Sequence, residues 1–355
     1  MLSFILTALV AALITPVVIH IYTQKKWLDN PATHTHAKKT HTTPVPRGGG
    51  LVIFLSILLL SFFFLHYDSY LFAIMAGAAI LAFVGFLDDV YDIHPLIRLG
   101  VNVLVALIVV GSGIGISYIS SPFSTSVIHL NMPQLTFELF GQERTIWVLA
   151  DFFAVLFIVW NMNIVNWSKG VDGQMPGFVS IALIFIGILS TRFVDDPTSF
   201  NTTQLSFIAA GAFAGFLFWN WYPQKIMPGY GGGSLAGYFL SVLAILSGAK
   251  VATALMVLAI PTSDALFTIT RRLLRGKSPF WGDRGHLHHK LIDVFHWGKR
   301  RIAVFYWLTS FILGFLSLYL NTVQKLITIT LVLLSVAWLL VWAKIKTLQQ
   351  QHETN

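Results

Sequence analysis

The chain has no cysteine and little charge: only 11% of its 355 residues are Asp, Glu, Lys or Arg, against roughly 25% in soluble domains. The missing cysteine excludes disulfides, thiolate chemistry and Cys-ligated zinc. The scarcity of charge, with 55% apolar residues and a mean hydropathy of +0.73, excludes a soluble globular domain, a disordered chain and a nucleic-acid-binding module. Internal repeats and low-complexity segments are also lacking. What is present in quantity is long apolar runs.

A helix needs about 20 mostly apolar residues to cross a bilayer. Eleven runs qualify, at 2–23, 51–66, 70–87, 98–117, 146–165, 178–192, 204–221, 234–248, 251–269, 301–320 and 325–343. The first lacks a basic leader and a small-residue cleavage site, so it reads as a retained span. The expected architecture is all-α, a single polytopic membrane domain over 1–355. With the N-terminus outside, the loops 24–50, 88–98, 166–177, 222–233 and 270–300 and the C-terminal end are cytoplasmic. With Arg301 at the edge of the last loop, they hold all of the 23 basic residues except Arg144, Arg192, Lys250 and Lys325, as the positive-inside rule requires. The net charge of +8 is therefore chiefly a topology signal, although it also attracts anionic ligands and lipids. The segment 118–145 on the other side is polar and partly alternating, and suggests a small hairpin or an amphipathic piece.

The unusual residues cluster in the cytoplasmic loops. Asp88, Asp89 and Asp92 close the third span, with Asp88 and Asp92 on one helix face. Such a cluster is either a solvated acidic loop or a seat for a magnesium ion that also touches phosphate. Acids number only 15, and three in five residues favour the second reading. Asn163 and Asn166, again sharing a face, precede Lys169, Asp172 and Gly173; they suit a planar base and a phosphate, or a Gly-rich turn between helices. The run from Met227 to Ser234 is a glycine-rich entry to a helix, either an anion nest or close helix packing. Arg271 to His289 combines Arg and Lys able to grip a diphosphate with His286, His288 and His289. Without cysteine or a second His pair, these imidazoles suit phosphate better than zinc. Asp264, inside the ninth span, is a functional candidate or a polar contact between helices. Asp29, Pro31, Lys38, His41, Pro44, Pro46, Arg47, Gly49 and Gly50 make an extended, close-approaching first loop.

Together these loops resemble those of the polyprenyl-phosphate N-acetylhexosamine-1-phosphate transferases, the MraY/WecA superfamily of glycosyltransferase family 4. The likeness runs from about residue 29 to residue 291. It is carried by the first-loop residues, by Asp88-Asp89-x-x-Asp92, by Asn163-x-x-Asn166 with Asp172-Gly173, and by Gly276-Lys277-Ser278 followed by Asp283-Arg284-x-His286-x-His288-His289. The resemblance implies transfer of a sugar-1-phosphate, most closely GlcNAc-1-phosphate, from a UDP-sugar to undecaprenyl phosphate. UMP is released and cell-envelope glycan synthesis begins, in a multi-pass protein of the bacterial plasma membrane. It implies magnesium, or manganese in its place, on Asp88, Asp89 and Asp172, with Asp88 or Asp89 positioning the lipid phosphate or taking its last proton. Asn163 and Asn166 would hold the nucleotide and the three histidines the diphosphate or sugar. Asp29, Lys38, His41, Arg47, Asp92, Lys169, Ser278, Asp283 and Arg284 complete the implied substrate-binding set. A homodimer is left open.

Two positions depart from the family pattern. Lys169 stands where the family has the first Asp of Asp-Gly-x-Asp-Gly. Gly231 stands at the Asp of Met-Gly-Asp-x-Gly-Ser, a metal ligand in the family. Lys169 cannot bind magnesium, though its charge can replace part of what a metal does. The alternatives carried forward are a phospho-N-acetylmuramoyl-pentapeptide transferase and a non-catalytic membrane homologue or transporter. The gathering of polar residues at one membrane face favours an interfacial enzyme over a transporter.

Overall fold

The computed structural model describes residues 1–31, 40–121, 126–139, 142–192, 198–247, 250–278 and 284–353. Each expected apolar run is helical over most of its length, in α1 (Leu2–Gln24), α2 (Gly49–Phe64), α3 (Ser69–Tyr91), α4 (Pro95–Gly111), α5 (Val148–Trp167), α6 (Gln174–Ser190), α7 (Ser199–Asn220) and α8 (Gly229–Leu246). Then follow α9 (Lys250–Val257), α10 (Ala259–Leu273), the short α11 (Leu287–Asp293), α12 (Lys299–Ser317) and α13 (Thr322–Glu353). The protein is an all-α, multi-pass membrane protein. Among the described residues, α1, α3, α5, α7, α8 and α13 are each long and apolar enough to cross a bilayer, while α2, α4 and α6 are shorter apolar helices.

The expected ninth span is broken. α9 and α10 meet at Leu258 with a bend of 83°. Pro261 explains the place: its ring clashes with the carbonyl four residues back, that of Val257, and it has no N–H to donate. Elsewhere the helix limits follow local chemistry. The Asp68 carboxylate accepts from the Leu71 N–H and caps α3, and Asp92 ends that helix in the left-handed region at φ 49°. Pro95 then opens α4 at a first-turn position.

Among the described residues six short strands form three antiparallel pairs: β1 (Leu28–Asp29) with β2 (Val45–Pro46), β3 (Tyr118–Ser120) with β4 (Val127–His129), and β5 (Gln134–Leu139) with β6 (Gln142–Trp147). The segment expected to hold one hairpin thus holds two.

Helix α8 is the axis of the bundle, buried at every residue from Gly229 to Ala244. Its glycines make this possible. A Cβ on Gly237 would stand 2.4 Å from the Met162 Cα of α5. On the opposite flank Gly231 meets Gly85 of α3 and Gly50 of α2, backbone on backbone. Small residues drive such approaches where apolar burial gives helices no preference for each other over lipid. The glycine-rich run therefore packs helices, and is not the open anion nest allowed by its sequence.

The motif-bearing loops meet at one end of the bundle. Thr40 donates to the Gly170 carbonyl, the Met227 N–H to that of Pro46, and Lys299 to Asp172. At the other end, Asn201 holds His66 and Asp68, and Arg192 donates to the Leu318 carbonyl.

Candidate active site

The centre of that end is a chain of alternating charges. Arg47 reaches Asp29 at 3.3 Å and Asp92 at 3.7 Å; Arg98 reaches Asp92 at 3.5 Å and Asp88 at 3.2 Å. The pairing of β1 with β2 sets the first link, because it brings Asp29 opposite Val45. His41 approaches the Asp29 backbone carbonyl at 3.3 Å. The left-handed turn at Asp92 brings Arg98 back over the end of α3, where its Nε also donates to the Ile93 carbonyl at 2.8 Å. Tyr230, at the start of α8, donates to the Arg98 carbonyl and to Asn102. Its ring lies 5.7 Å from the guanidinium.

Asp89 faces the opposite flank. Its Oδ2 accepts from the Tyr22 hydroxyl at 3.2 Å, and its Oδ1 is buried without a hydrogen-bond partner among the described residues. Beside it stands Lys169, half-buried, whose Nζ donates to the Gly229 carbonyl. Desolvation pulls the Lys169 ammonium down to about 7, while the Asp88 carboxylate holds it up. An arriving phosphate acts in the same sense as Asp88 and favours the charged form.

Asp172, although close in sequence, has other partners. It accepts from the Gln224 N–H at 3.2 Å and pairs with Lys299 at 3.1 Å. Lys299 lines a cavity of about 670 Å³ with Thr40, Tyr222, Arg284, Ile292, Trp297, Gly298 and Arg300. Lys299 and Arg300 both lie against the Tyr222 ring. Cations and aromatic faces here suit a flat, anionic ligand.

The histidine segment closes over the 168–173 turn. His288 packs on Gly170, where any Cβ would overlap its ring. His286 Nδ1 is 2.9 Å from Asp264 Oδ2, and the Leu287 N–H donates to Asp264 Oδ1. Asp264, carried by the helix after the bend, thus anchors this segment. Arg284 forms a two-pronged pair with Asp293.

His288 and His289 are 1% and 3% exposed. Desolvation lowers both, His289 to about 4, with the Arg284 charge adding to the fall. A base whose folded pKa lies below its unfolded value contributes stability above the unfolded value, and that contribution is lost as pH falls towards the folded one. For His289 the loss is on the order of 3 kcal/mol. The melting temperature in detergent is therefore expected to drop between pH 6.5 and about 4, and His289→Gln to reduce the drop. An identical pH profile in the variant would refute this.

Other expected residues fall less centrally. Asn163 donates to the Val159 carbonyl of its own helix, whereas Asn166 leans on Gly233 of α8 with its buried amide oxygen unpartnered among the described residues. Ser278 is exposed beyond α10. Lys38 and Asp283 lie outside the described residues. Tyr22, Arg98, Tyr222, Trp297 and Lys299 join the site without a motif to announce them, and Tyr230 joins from within the glycine-rich run. Arg98 and Lys299 were visible only as topology charges.

The expected magnesium seat does not form from these residues. No group of three or more His, Asp or Glu able to hold a metal occurs among the described residues. Both Asp88 oxygens face Arg98, and both Asp172 oxygens are engaged by Lys299 and Gln224. Asp88, Asp89 and Asp172 therefore do not converge as a ligand set, and Gly231 offers no carboxylate.

The family model described as glycosyl transferase family 4 matches residues 71–248, half of the chain. The protein belongs to glycosyl transferase family 4. It is 27% identical over 352 residues to a probable undecaprenyl-phosphate N-acetylglucosaminyl 1-phosphate transferase of Bacillus subtilis (strain 168), covering 97% of this chain and 91% of that one. It is 28% identical over 318 residues to the undecaprenyl-phosphate alpha-N-acetylglucosaminyl 1-phosphate transferase of Thermotoga maritima, covering 88% and 86%. To the decaprenyl-phosphate N-acetylglucosaminephosphotransferase of Mycobacterium tuberculosis (strain ATCC 25618 / H37Rv) it is 25% identical over 300 residues, covering 76% and 70%. Of the family match, Asp88, Asp89, Asp92, Lys169 and Asp172 all lie inside the matched span.

Proposed function

We propose that this member of glycosyl transferase family 4 transfers GlcNAc-1-phosphate from UDP-GlcNAc to undecaprenyl phosphate on the cytoplasmic side of a bacterial plasma membrane. The single observation that carries this reading is the meeting of five distant segments at one end of the bundle. There Arg47 and Arg98 link Asp29, Asp92 and Asp88, Lys169 adjoins Asp89 through Gly229, and Lys299 pairs with Asp172 beside Arg300. The positive-inside count supports placing that end in the cytoplasm, where a nucleotide sugar is available and a lipid phosphate lies at the interface.

The reaction is a phosphoryl transfer. An oxygen of the lipid phosphate forms a bond to the β-phosphorus. The bond from that phosphorus to the α–β bridging oxygen breaks, and UMP leaves with the bridging oxygen and its electron pair. The nucleophile is already anionic near neutral pH, so the protein's work is placement and charge stabilisation. Arg47 and Arg98 suit the phosphate oxygens, and Asp89 Oδ1 suits the orientation of the lipid phosphate or removal of its last proton. The cavity bounded by Tyr222, Trp297, Lys299 and Arg300 suits the nucleotide. No step is assigned to magnesium, because the carboxylates do not form a seat for it.

The test is UMP release by purified protein in detergent, given undecaprenyl phosphate and UDP-GlcNAc. The expected result is UMP in equal amount to a lipid-linked GlcNAc diphosphate. No UMP from UDP-GlcNAc or other UDP-sugars would reassign the chain as a non-catalytic relative.

A further inference from the structure

One cation of the site is covalently built in. Lys169 leaves the end of α5, reaches the first residue of α8 and donates to the Gly229 carbonyl. Gly229 borders Asp89: a Cβ on it would stand 2.7 Å from Asp89 Oδ1. The Lys169 charge acts on Asp88 and Asp89 together, with Arg47 and Arg98 adjoining.

The oxygens that would hold a divalent ion are committed elsewhere. Arg98 and the Ile93 N–H take those of Asp88, while Lys299 and the Gln224 N–H take those of Asp172. Tyr22 takes one of the two on Asp89. Of these three carboxylates a single open oxygen is left within the described residues, so a divalent ion would have to draw nearly all its ligands from water and substrate phosphate. Gly231, where the family pattern has a carboxylate, is pressed onto α3, and even a Cβ there would lie 3.1 Å from the Gly85 Cα. Position 231 thus offers no carboxylate, and two residues before it Gly229 receives the ammonium of Lys169.

We propose that Lys169 is the resident cation of this site: its ammonium neutralises the Asp88–Asp89 pair and receives the phosphate oxygens, so the protein binds its diphosphate substrate without a divalent ion. The compact ammonium has three donors. One is spent on Gly229, which leaves two for a carboxylate and an incoming phosphate. The identity of that substrate rests on the transferase reading; the cation assignment does not.

Two measurements separate the inference from that reading. The first is manganese titration of the purified protein in detergent, followed by electron paramagnetic resonance, which needs no turnover. The wild type is expected to show no site tighter than about 1 mM, and Lys169→Asp to gain one. One manganese per wild-type chain, lost in Asp89→Asn, would overturn the proposal whether or not the protein turns over. The second is UMP release with EDTA. Turnover is expected to persist within about twofold, and Lys169→Met to lose at least about a hundredfold. Turnover abolished by EDTA and restored by magnesium would overturn the proposal. If no UMP appears under any condition, the transferase reading fails and the wild-type manganese titration alone decides.

A rescue tests the charge itself. The chain has no cysteine, so Lys169→Cys introduces the sole thiol, and 2-bromoethylamine converts it to an ammonium of nearly lysine length. Turnover lost in the cysteine variant is expected to return on alkylation. A fully active unalkylated Lys169→Cys protein would overturn the role of the charge.

Discussion

Asp89→Asn is expected to lower UMP release by about a thousandfold while leaving the melting temperature in detergent nearly unchanged. Two features of the site combine to give this outcome. First, Asp89 Oδ1 is the buried carboxylate oxygen of the cluster that no group fills among the described residues, whereas the oxygens of Asp88 and Asp172 are held by Arg98 and Lys299. Second, asparagine has the same shape, and its amide oxygen still accepts from the Tyr22 hydroxyl, so the fold loses little. What disappears is the negative charge facing Lys169 and the incoming lipid phosphate. Asp88→Asn is the control with the opposite balance, because it strips Arg98 of a partner and is expected to destabilise. Retained turnover in Asp89→Asn would remove this residue from the site.

Arg98→Ala is expected to cost stability and activity together. Asp88 is 2% exposed, and removing one partner of a buried ion pair costs roughly 3–5 kcal/mol because the other charge stays behind. Arg98 is itself about one-quarter exposed, which places the expected loss at the lower end, about 3 kcal/mol. The same change leaves Asp92 with Arg47 alone among the described residues and loosens the left-handed turn that sends the chain from α3 into α4. Arg98→Lys is not expected to recover the loss, since an ammonium cannot span Asp88 and Asp92 as a planar guanidinium does. The checks are a melting curve and UMP release for both variants. A melting temperature unchanged in Arg98→Ala would show that the ion chain carries no stability.

Much of the fold is legible in the order of residues because lipid imposes a coarse rule, and apolar runs of the right length are hard to miss. The break at Leu258 is less visible. Residues 251–269 read as one run, and only Pro261, acting four residues back, marks where it divides. The motif segments announce themselves by rare residue types in an apolar chain. Their partners do not. Tyr22 meets Asp89 across 67 residues and Tyr230 meets Asn102 across 128; such pairings come from helix packing, which no local pattern encodes. Arg98 illustrates the difficulty most clearly, since a lone arginine in a cytoplasmic loop is already accounted for by topology. Asp264 was legible as an anomaly, a carboxylate within an apolar run, but its anchoring of His286 depends on the bend before it. The three carboxylates expected to share a metal failed to converge for a similar reason: the 168–173 turn directs Asp172 towards Lys299, which lies 127 residues further on.

The glycine contacts of α8 have a consequence for how this scaffold can vary. At positions 50, 85, 231 and 233 main chain lies against main chain or against Asn166, so the floor beneath the reacting groups is polypeptide backbone with no room for decoration. A floor of that kind cannot be re-cut to suit a different ligand. Any change of preference has to be written on the walls, in the Tyr222–Ile226 turn and the segment that carries Arg284 and the histidines, where side chains have space to differ. The bundle thus behaves as a fixed template with an exchangeable rim.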